Sequence, residues 1–274
     1  MTPATEPPAS DRAVESLLAF WREAGVDVCL EDAPVDRTQR RDPPPRPRPA
    51  ATTTNAPTAA APAANPDVAV AVEEARARAA EAQDLDALVA AIAAFDGCPL
   101  KFQGAKQACV WRGDPHAPVA IVGEGPGAEE DAQGKPFVGR AGQLLDKMLE
   151  AAGLTGRVFI TNTVFWRPPG NRTPTPSEQA VCRPFLERAL QLVGPKLLLL
   201  SGGASAKSML GKEEGILSLR GRWFEWRSQD GELVLPALPT LHPAFLLRQP
   251  AAKKKAWADL LTLSERLDRP ERPG

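Results

Sequence analysis

The sequence predicts an α/β domain, with helices layered on a mainly parallel sheet. Short apolar runs alternate with helical stretches over roughly 150 residues, and the runs end in glycine or polar loops. A single hairpin signal, Asp230–Gly231, breaks the alternation near the end.

Residues 13–25 put Ala13, Leu17, Leu18, Trp21 and Ala24 on one side of a helix that Gly25 ends. Such a helix meets a protein partner, docks on the chain's own domain or frays. Residues 33–65 collapse to Pro, Ala, Thr and Arg, and 12 of the 29 prolines fall at or before Pro66. Proline removes backbone donors and little apolar surface remains, so this stretch reads as a flexible or polyproline-like linker. Arg37, Arg40, Arg41, Arg46 and Arg48 face only Asp36 and Asp42 there, which suits either a weak hold on DNA or a solvated tether. The expected organisation is a short helix within 1–32, a Pro/Ala/Arg-rich linker over 33–67 and the α/β domain over 68–270.

Within that domain, residues 68–95 carry apolar positions at helical spacing, enough for one or two helices. Residues 119–122 form a short apolar run that ends at glycine, hence a buried strand. Residues 142–152 place Leu144, Leu145, Met148, Leu149 and Ala152 on one helical face. A second strand follows at 158–161, then a helix at 178–192 with Ser177 as its cap after Pro176. A third strand at 196–201 leads into a short helix at 202–210. Residues 223–226 and 233–235 flank the hairpin signal, and a last helix runs over 251–267.

Global composition mainly excludes. Of 274 residues 43% are hydrophobic, enough for a core, and 33 basic against 34 acidic residues leave a net charge of −1. Nucleic-acid contact therefore has to come from a local patch. Residues 1–11 are polar and proline-rich without the apolar segment of a secretory leader, and no apolar run nears the ~20 residues of a membrane span. The expectation is a cytoplasmic monomer with no membrane contact. Its four cysteines, Cys29, Cys98, Cys109 and Cys182, are then reduced thiols or metal ligands rather than disulfides.

In open α/β sheets, ligands bind beyond the carboxyl ends of the strands. Three polar segments lie there: Gly123-Glu124-Gly125-Pro126-Gly127, Asn162 leading to Arg167-Pro168-Pro169-Gly170-Asn171-Arg172, and His242-Pro243. Each also has a plain structural reading. The glycine loop fits neither the dinucleotide nor the P-loop pattern, and Pro126 removes a donor that a phosphate cradle would use. An asparagine at a strand end also forms turns, a His-Pro pair also serves structure, and Arg167 and Arg172 also suit a solvated surface.

Taken in order, GEGPGAEED at 123–131, GKPFVGRAGQLLD at 134–146, FITN at 159–162, RPPGNRTP at 167–174 and HPAFLLRQP at 242–250 resemble the uracil-DNA glycosylase superfamily, nearest to its family 4. The resemblance implies a three-layer α/β/α domain that flips uracil out of DNA and hydrolyses its N-glycosidic bond. It assigns Asn162 to reading the uracil edge, Phe137 to stacking on the base and His242 to stabilising the departing anion. Glu124 becomes the candidate for orienting water or stabilising the sugar cation, with Glu130 as an auxiliary carboxylate. Gly125 lines the base site where better-known superfamily members carry an aspartate. Leu246 and Leu247 are expected to wedge into the gap left by the base. Arg167, Arg172 and Arg248 are expected to meet phosphates, with Lys253, Lys254 and Lys255 adding charge.

Family 4 also implies a four-iron cluster on four cysteines. Here Cys98 and Cys182 match the first and last ligand positions, while Lys101 and Trp166 occupy the other two. Clusters of this type take about four thiolates. The expectation is no normal cluster, with Lys101 and Trp166 filling the space by packing. Against the enzyme stands one other reading, a DNA-binding module that retains the pocket without turnover. Covalent capture of DNA by histidine, known in a related branch, goes with an added basic loop after the glycine motif that this sequence lacks.

Overall fold

The structure, a computed structural model, describes residues 66–269. The expected N-terminal helix and nearly all of the expected linker lie outside the described residues. Pro66 and Asp67, placed at the linker's end by composition, instead begin helix α1 (Pro66–Glu81). The second helix expected nearby is α2 (Leu85–Ala94), capped by the Asp84 carboxylate on the Ala87 N–H.

Six strands form one sheet in the order β1-β3-β2-β4-β6-β5. The four inner strands, β2 (Val119–Gly123), β3 (Val158–Asn162), β4 (Leu197–Ser201) and β6 (Val234–Thr240), are parallel. Both edges, β1 (Trp111–Gly113) and β5 (Phe224–Arg227), run antiparallel to their neighbours. Inner strands are apolar over most of their length because both faces are covered, with Thr161, Asn162, Ser201 and Thr240 as polar positions toward their carboxyl ends. Ala120, Val122, Leu198 and Leu200 pack with Phe185 and Leu186 of α5 (Pro176–Val193) and with Leu88 and Ile92 of α2. Val119, Ile121, Leu197 and Leu199 face the other way, onto Leu145 and Leu149 of α4 (Arg140–Ala151) and Leu260 and Leu263 of α9 (Lys253–Asp268). The three-layer α/β/α expectation is met.

Several local expectations are corrected. The cap of α5 is Thr175, not Ser177: Thr175 Oγ1 accepts from the Glu178 N–H at 3.2 Å and Glu178 returns the bond to the Thr175 N–H at 2.8 Å. Strand β6 continues five residues beyond 235, through Pro236 and Pro239, which composition reads as a break. Four short elements carry too few residues to show a period: β1, α3 (Ala128–Gln133), α7 (Ile216–Leu219) and α8 (Pro243–Arg248). Helix α6 (Gly203–Leu210) follows β4 as expected.

This topology sets the site. β2 lies between β3 and β4, so successive crossovers leave it in opposite directions and open a crevice at its carboxyl end. Gly123 ends β2 in register with Asn162 at the end of β3. Ser201 and Thr240 end β4 and β6 on the same edge. Thr240 donates to Asp259 of α9 at 2.7 Å, anchoring β6 two residues before His242.

Candidate active site

A cleft of about 500 Å³ opens at that edge, lined among others by Glu124, Gly125, Glu130, Phe137, His242 and Arg248. The loops after β2, β3 and β6 and the segment before α4 build its walls. Asn162 is not among the lining residues; it ends β3 in register with Gly123, beside the cleft. A methyl group built on Gly123 would fall 2.4 Å from Asn162 Oδ1 and 2.5 Å from the Phe137 ring, so amide and ring flank one glycine. Only a residue without a side chain permits this approach.

Asn162 is 1% exposed, and neither its Oδ1 nor its Nδ2 has a hydrogen-bond partner. Burying an amide without partners costs about 1–3 kcal/mol by mutational measures. An unpaired donor and acceptor side by side therefore form a template for a ligand that presents the reverse pair.

His242 caps α8, its Nδ1 accepting from the Ala244 N–H at 3.1 Å. An accepting Nδ1 carries no proton, so the neutral ring holds its proton on Nε2. Desolvation, helped by the Arg248 charge, lowers the imidazole to about 4 against a smaller opposing pull from Glu130. His242 is thus a neutral donor at physiological pH. Its ring lies 5.5 Å from that of Phe137, tilted by 31°.

Glu124 is half-buried at the cleft wall, and its carboxylate makes no hydrogen bond among the described residues; its backbone carbonyl accepts from Thr163 Oγ1 at 2.6 Å. Glu130 is different. Its two oxygens accept from the N–H groups of Gly127, Val138 and Gly139 at 3.1, 3.0 and 2.9 Å. Three backbone donors already hold this carboxylate, so the structure gives it a scaffolding task where an auxiliary catalytic carboxylate was expected. Gly125 sits in the wall, where a methyl group would come within 2.9 Å of Val164.

The expected DNA contacts divide. Leu246 is fully buried with Leu241 and Ala256, so it belongs to the core and the expectation of a wedge there is corrected. Leu247, next to it on α8, is 39% exposed and free to project. Helical geometry turns adjacent residues by about 100°, which separates these two leucines. Arg172 lines the cleft and is paired: its guanidinium grips Glu178 through two bonds of 2.9 and 2.6 Å, and Glu178 is buried. Those bonds hold the Glu178 carboxyl below its ordinary value. Arg167 gives its Nε to Asn171 at 2.7 Å. Arg248 is exposed at the cleft and makes no ion pair among the described residues.

The corner holding Cys98 and Cys182 does not suit an iron–sulfur cluster. Their sulfurs are 3.9 Å apart and both residues are fully buried. The Cys182 thiol, which donates toward Cys98 and is cut off from water, is held well above the ordinary thiol value. Lys101 sends its ammonium to the carbonyls of Ala93 (2.6 Å) and Phe95 (3.2 Å) and to Asp96 (2.7 Å). It clasps the end of α2, which corrects the expectation that it fills space by packing. Trp166 is buried, edge-on to Phe165 at 6.3 Å. Neither an ammonium nor an indole offers iron a lone pair, and two thiols remain of about four. Cys109 lies apart, bonded to the Glu130 carbonyl at 3.1 Å, and burial beside Asp131 and Glu130 pushes its thiol up to about 12.

Two glycines outside the expected set also shape the pocket. Besides Gly123, Gly142 matters: a methyl group there would fall 1.7 Å from the Phe137 carbonyl oxygen. Both lie in the motif stretches, but their requirement is one of contact across the fold and leaves no mark on local pattern.

An open parallel sheet whose carboxyl edge gathers an unpaired amide, an aromatic ring and a neutral imidazole defines a base-binding α/β/α fold. The sequence pattern of the uracil DNA glycosylase superfamily matches residues 110–261, and the chain belongs to that superfamily. Within it the similarity is to type-4 enzymes. The type-4 uracil-DNA glycosylase of Thermotoga maritima is 40% identical over 55% of this chain and 77% of its own length. That of Pyrobaculum aerophilum is 39% identical over 65% and 91%, and that of Saccharolobus solfataricus 36% identical over 67% and 87%.

Proposed function

We propose that the chain is a uracil-DNA glycosylase that takes uracil out of DNA and hydrolyses its N-glycosidic bond, the first step of base-excision repair. The carrying observation is the buried Asn162 amide with both polar atoms unpaired. Uracil presents an O4 acceptor beside an N3–H donor, which Nδ2 and Oδ1 complement. Cytosine presents the opposite pair at those positions and leaves both amide atoms in conflict. A base inside a duplex has no access to such a pocket, so it is extruded or met in a single strand.

Phe137 stacks on the extruded base. As the bond from C1′ to N1 breaks, its electron pair stays with uracil and spreads onto O2. His242 Nε2–H donates to that oxygen, and a fixed neutral donor in a site shielded from water is worth more there than in solution. The sugar is left electron-poor. Glu124 stabilises that charge and orients the water whose oxygen joins C1′ while a proton passes to solvent. Gly125 and Glu130 shape the wall. Leu247 takes the space left by the base, while Arg248 and Arg167 face phosphates, assisted by the exposed Lys253, Lys254 and Lys255. No step runs through an iron–sulfur cluster, since the donors at its position do not suit one. The substrate is uracil-containing DNA and the setting cytoplasmic; the three described cysteines are free thiols. Among the described residues no helix is long and apolar enough to cross a membrane.

Uracil release from a single-stranded uracil oligonucleotide, followed by alkaline cleavage, tests the proposal. The wild type cuts the strand at uracil. Asn162→Ala and His242→Ala each reduce kcat by roughly 10²–10³, the range seen when one anion-stabilising donor is removed. A folded wild type that binds the oligonucleotide but releases no uracil refutes the enzyme and favours the binding module.

A further inference from the structure

Phe137 holds a backbone conformation that its side chain disfavours. Its φ is +55°, and only Asn171 among the other described non-glycine residues is also positive. A left-handed backbone is disfavoured for an aromatic residue. The alternative with negative φ would carry the ring off the line between Asn162 and His242, so something must hold the backbone.

Three groups grip it. Gly142, in the first turn of α4, leaves room for the Phe137 carbonyl. Glu130 accepts from the N–H groups of Val138 and Gly139. The third is Arg112 on edge strand β1, which is not part of the cleft wall. Its Nε donates to the Pro136 carbonyl at 2.8 Å, and its Nη2 donates to the Phe137 carbonyl at 2.9 Å and to Asp146 at 2.7 Å. The Pro136 and Phe137 carbonyls belong to the two peptide planes on either side of the Phe137 Cα. Fixing both planes fixes both of its backbone angles. The plane between Phe137 and Val138 is held at both ends, by Arg112 at its oxygen and by Glu130 at its nitrogen.

We infer that Arg112 is a positioning residue for base recognition: from behind the cleft it sets the Phe137 ring in its stacking position before the base arrives. This rests on the glycosylase reading of the pocket. A planar, permanently charged fork suits two carbonyls and a carboxylate together, where the single ammonium of lysine reaches fewer of them. Stacking acts on the bound base before and during bond cleavage alike. Loss of the clamp therefore falls on KM rather than on kcat.

The test compares Arg112→Met, Arg112→Lys and Phe137→Ala, alone and with Arg112→Met added to Phe137→Ala. KM and kcat are measured on the single-stranded uracil oligonucleotide, and affinity for free uracil by calorimetry. Arg112→Met is expected to raise KM and weaken uracil binding about tenfold with kcat within twofold, and Arg112→Lys to recover part of the loss. In the Phe137→Ala background, Arg112→Met is expected to change neither, because the ring it positions is gone. An equal loss in both backgrounds, or an unchanged KM in a folded Arg112→Met protein, overturns the inference while wild-type excision leaves the glycosylase reading standing. A wild type that neither releases nor binds uracil overturns both.

Discussion

Two regions of this molecule bear on ligands, and they treat their polar groups in opposite ways. At the proposed base pocket, among the described residues, the buried Asn162 amide has no partner, the Glu124 carboxylate makes no hydrogen bond and His242 offers an unspent N–H. At the Cys98–Cys182 corner, the two thiols face each other, the Lys101 ammonium has three acceptors and Trp166 is sealed among apolar neighbours. A pocket prepared for a ligand carries unmet bonds, because the ligand is to meet them. The Cys98–Cys182 corner instead spends its polar groups on partners within the protein.

The largest expected effect breaks that comparison directly. Trp166→Ala should cost about 3–5 kcal/mol of stability, the usual range for an aromatic deleted from a core, while excision per folded molecule stays near wild type. Urea unfolding alongside uracil release measures both. Stoichiometric iron and sulfide in anaerobically purified wild type would show that the corner is not closed at all.

A second effect sharpens the pocket's side through pH. The folded His242 lies near 4 against an ordinary value of 6.5. Between those values the unfolded chain binds a proton that the folded one does not. Stability from the neutral ring is therefore complete above about 6.5 and is lost as pH falls toward 4. Excision should show no inflection from this histidine between pH 5 and 7. An inflection near 6.5 that disappears in His242→Ala would mean the ring is not desolvated.

A third comparison separates the two leucines of α8, with the smallest effect expected at Leu247. Leu247→Ala should slow excision from duplex DNA a few-fold with stability unchanged. Leu246→Ala should lower stability by about 2–5 kcal/mol. Removing Arg248 should weaken DNA binding and reduce its salt dependence by about one counterion. Equal behaviour of the two leucines would return Leu246 to the DNA surface.

The inner strands could be read from sequence because burial on both faces makes them apolar runs, as at 119–122 and 197–200. β6 could not, since Pro236 and Pro239 look like breaks when only local preference is consulted. Asn162, Phe137 and His242 were legible as a set through ordered motifs, and the structure brings the three to one sheet edge. What escaped depends on partners far along the chain. Arg172 looks like a free cation until Glu178 is seen to hold it, and Leu246 looks like its exposed neighbour until the packing of α8 is known. Arg112 has no local signature, because the carbonyls it holds lie 24 and 25 residues away.

The unpaired Asn162 amide has a consequence for the protein as a whole. Folding strands a donor and an acceptor away from water, so the vacant enzyme sits below the stability its fold would otherwise reach. A base that satisfies both atoms returns that difference and raises the melting temperature with its concentration. A base of opposite polarity does not. On the proposed reading, uracil is expected to raise the melting temperature and cytosine not to, a readout with no strand cut and no bond broken.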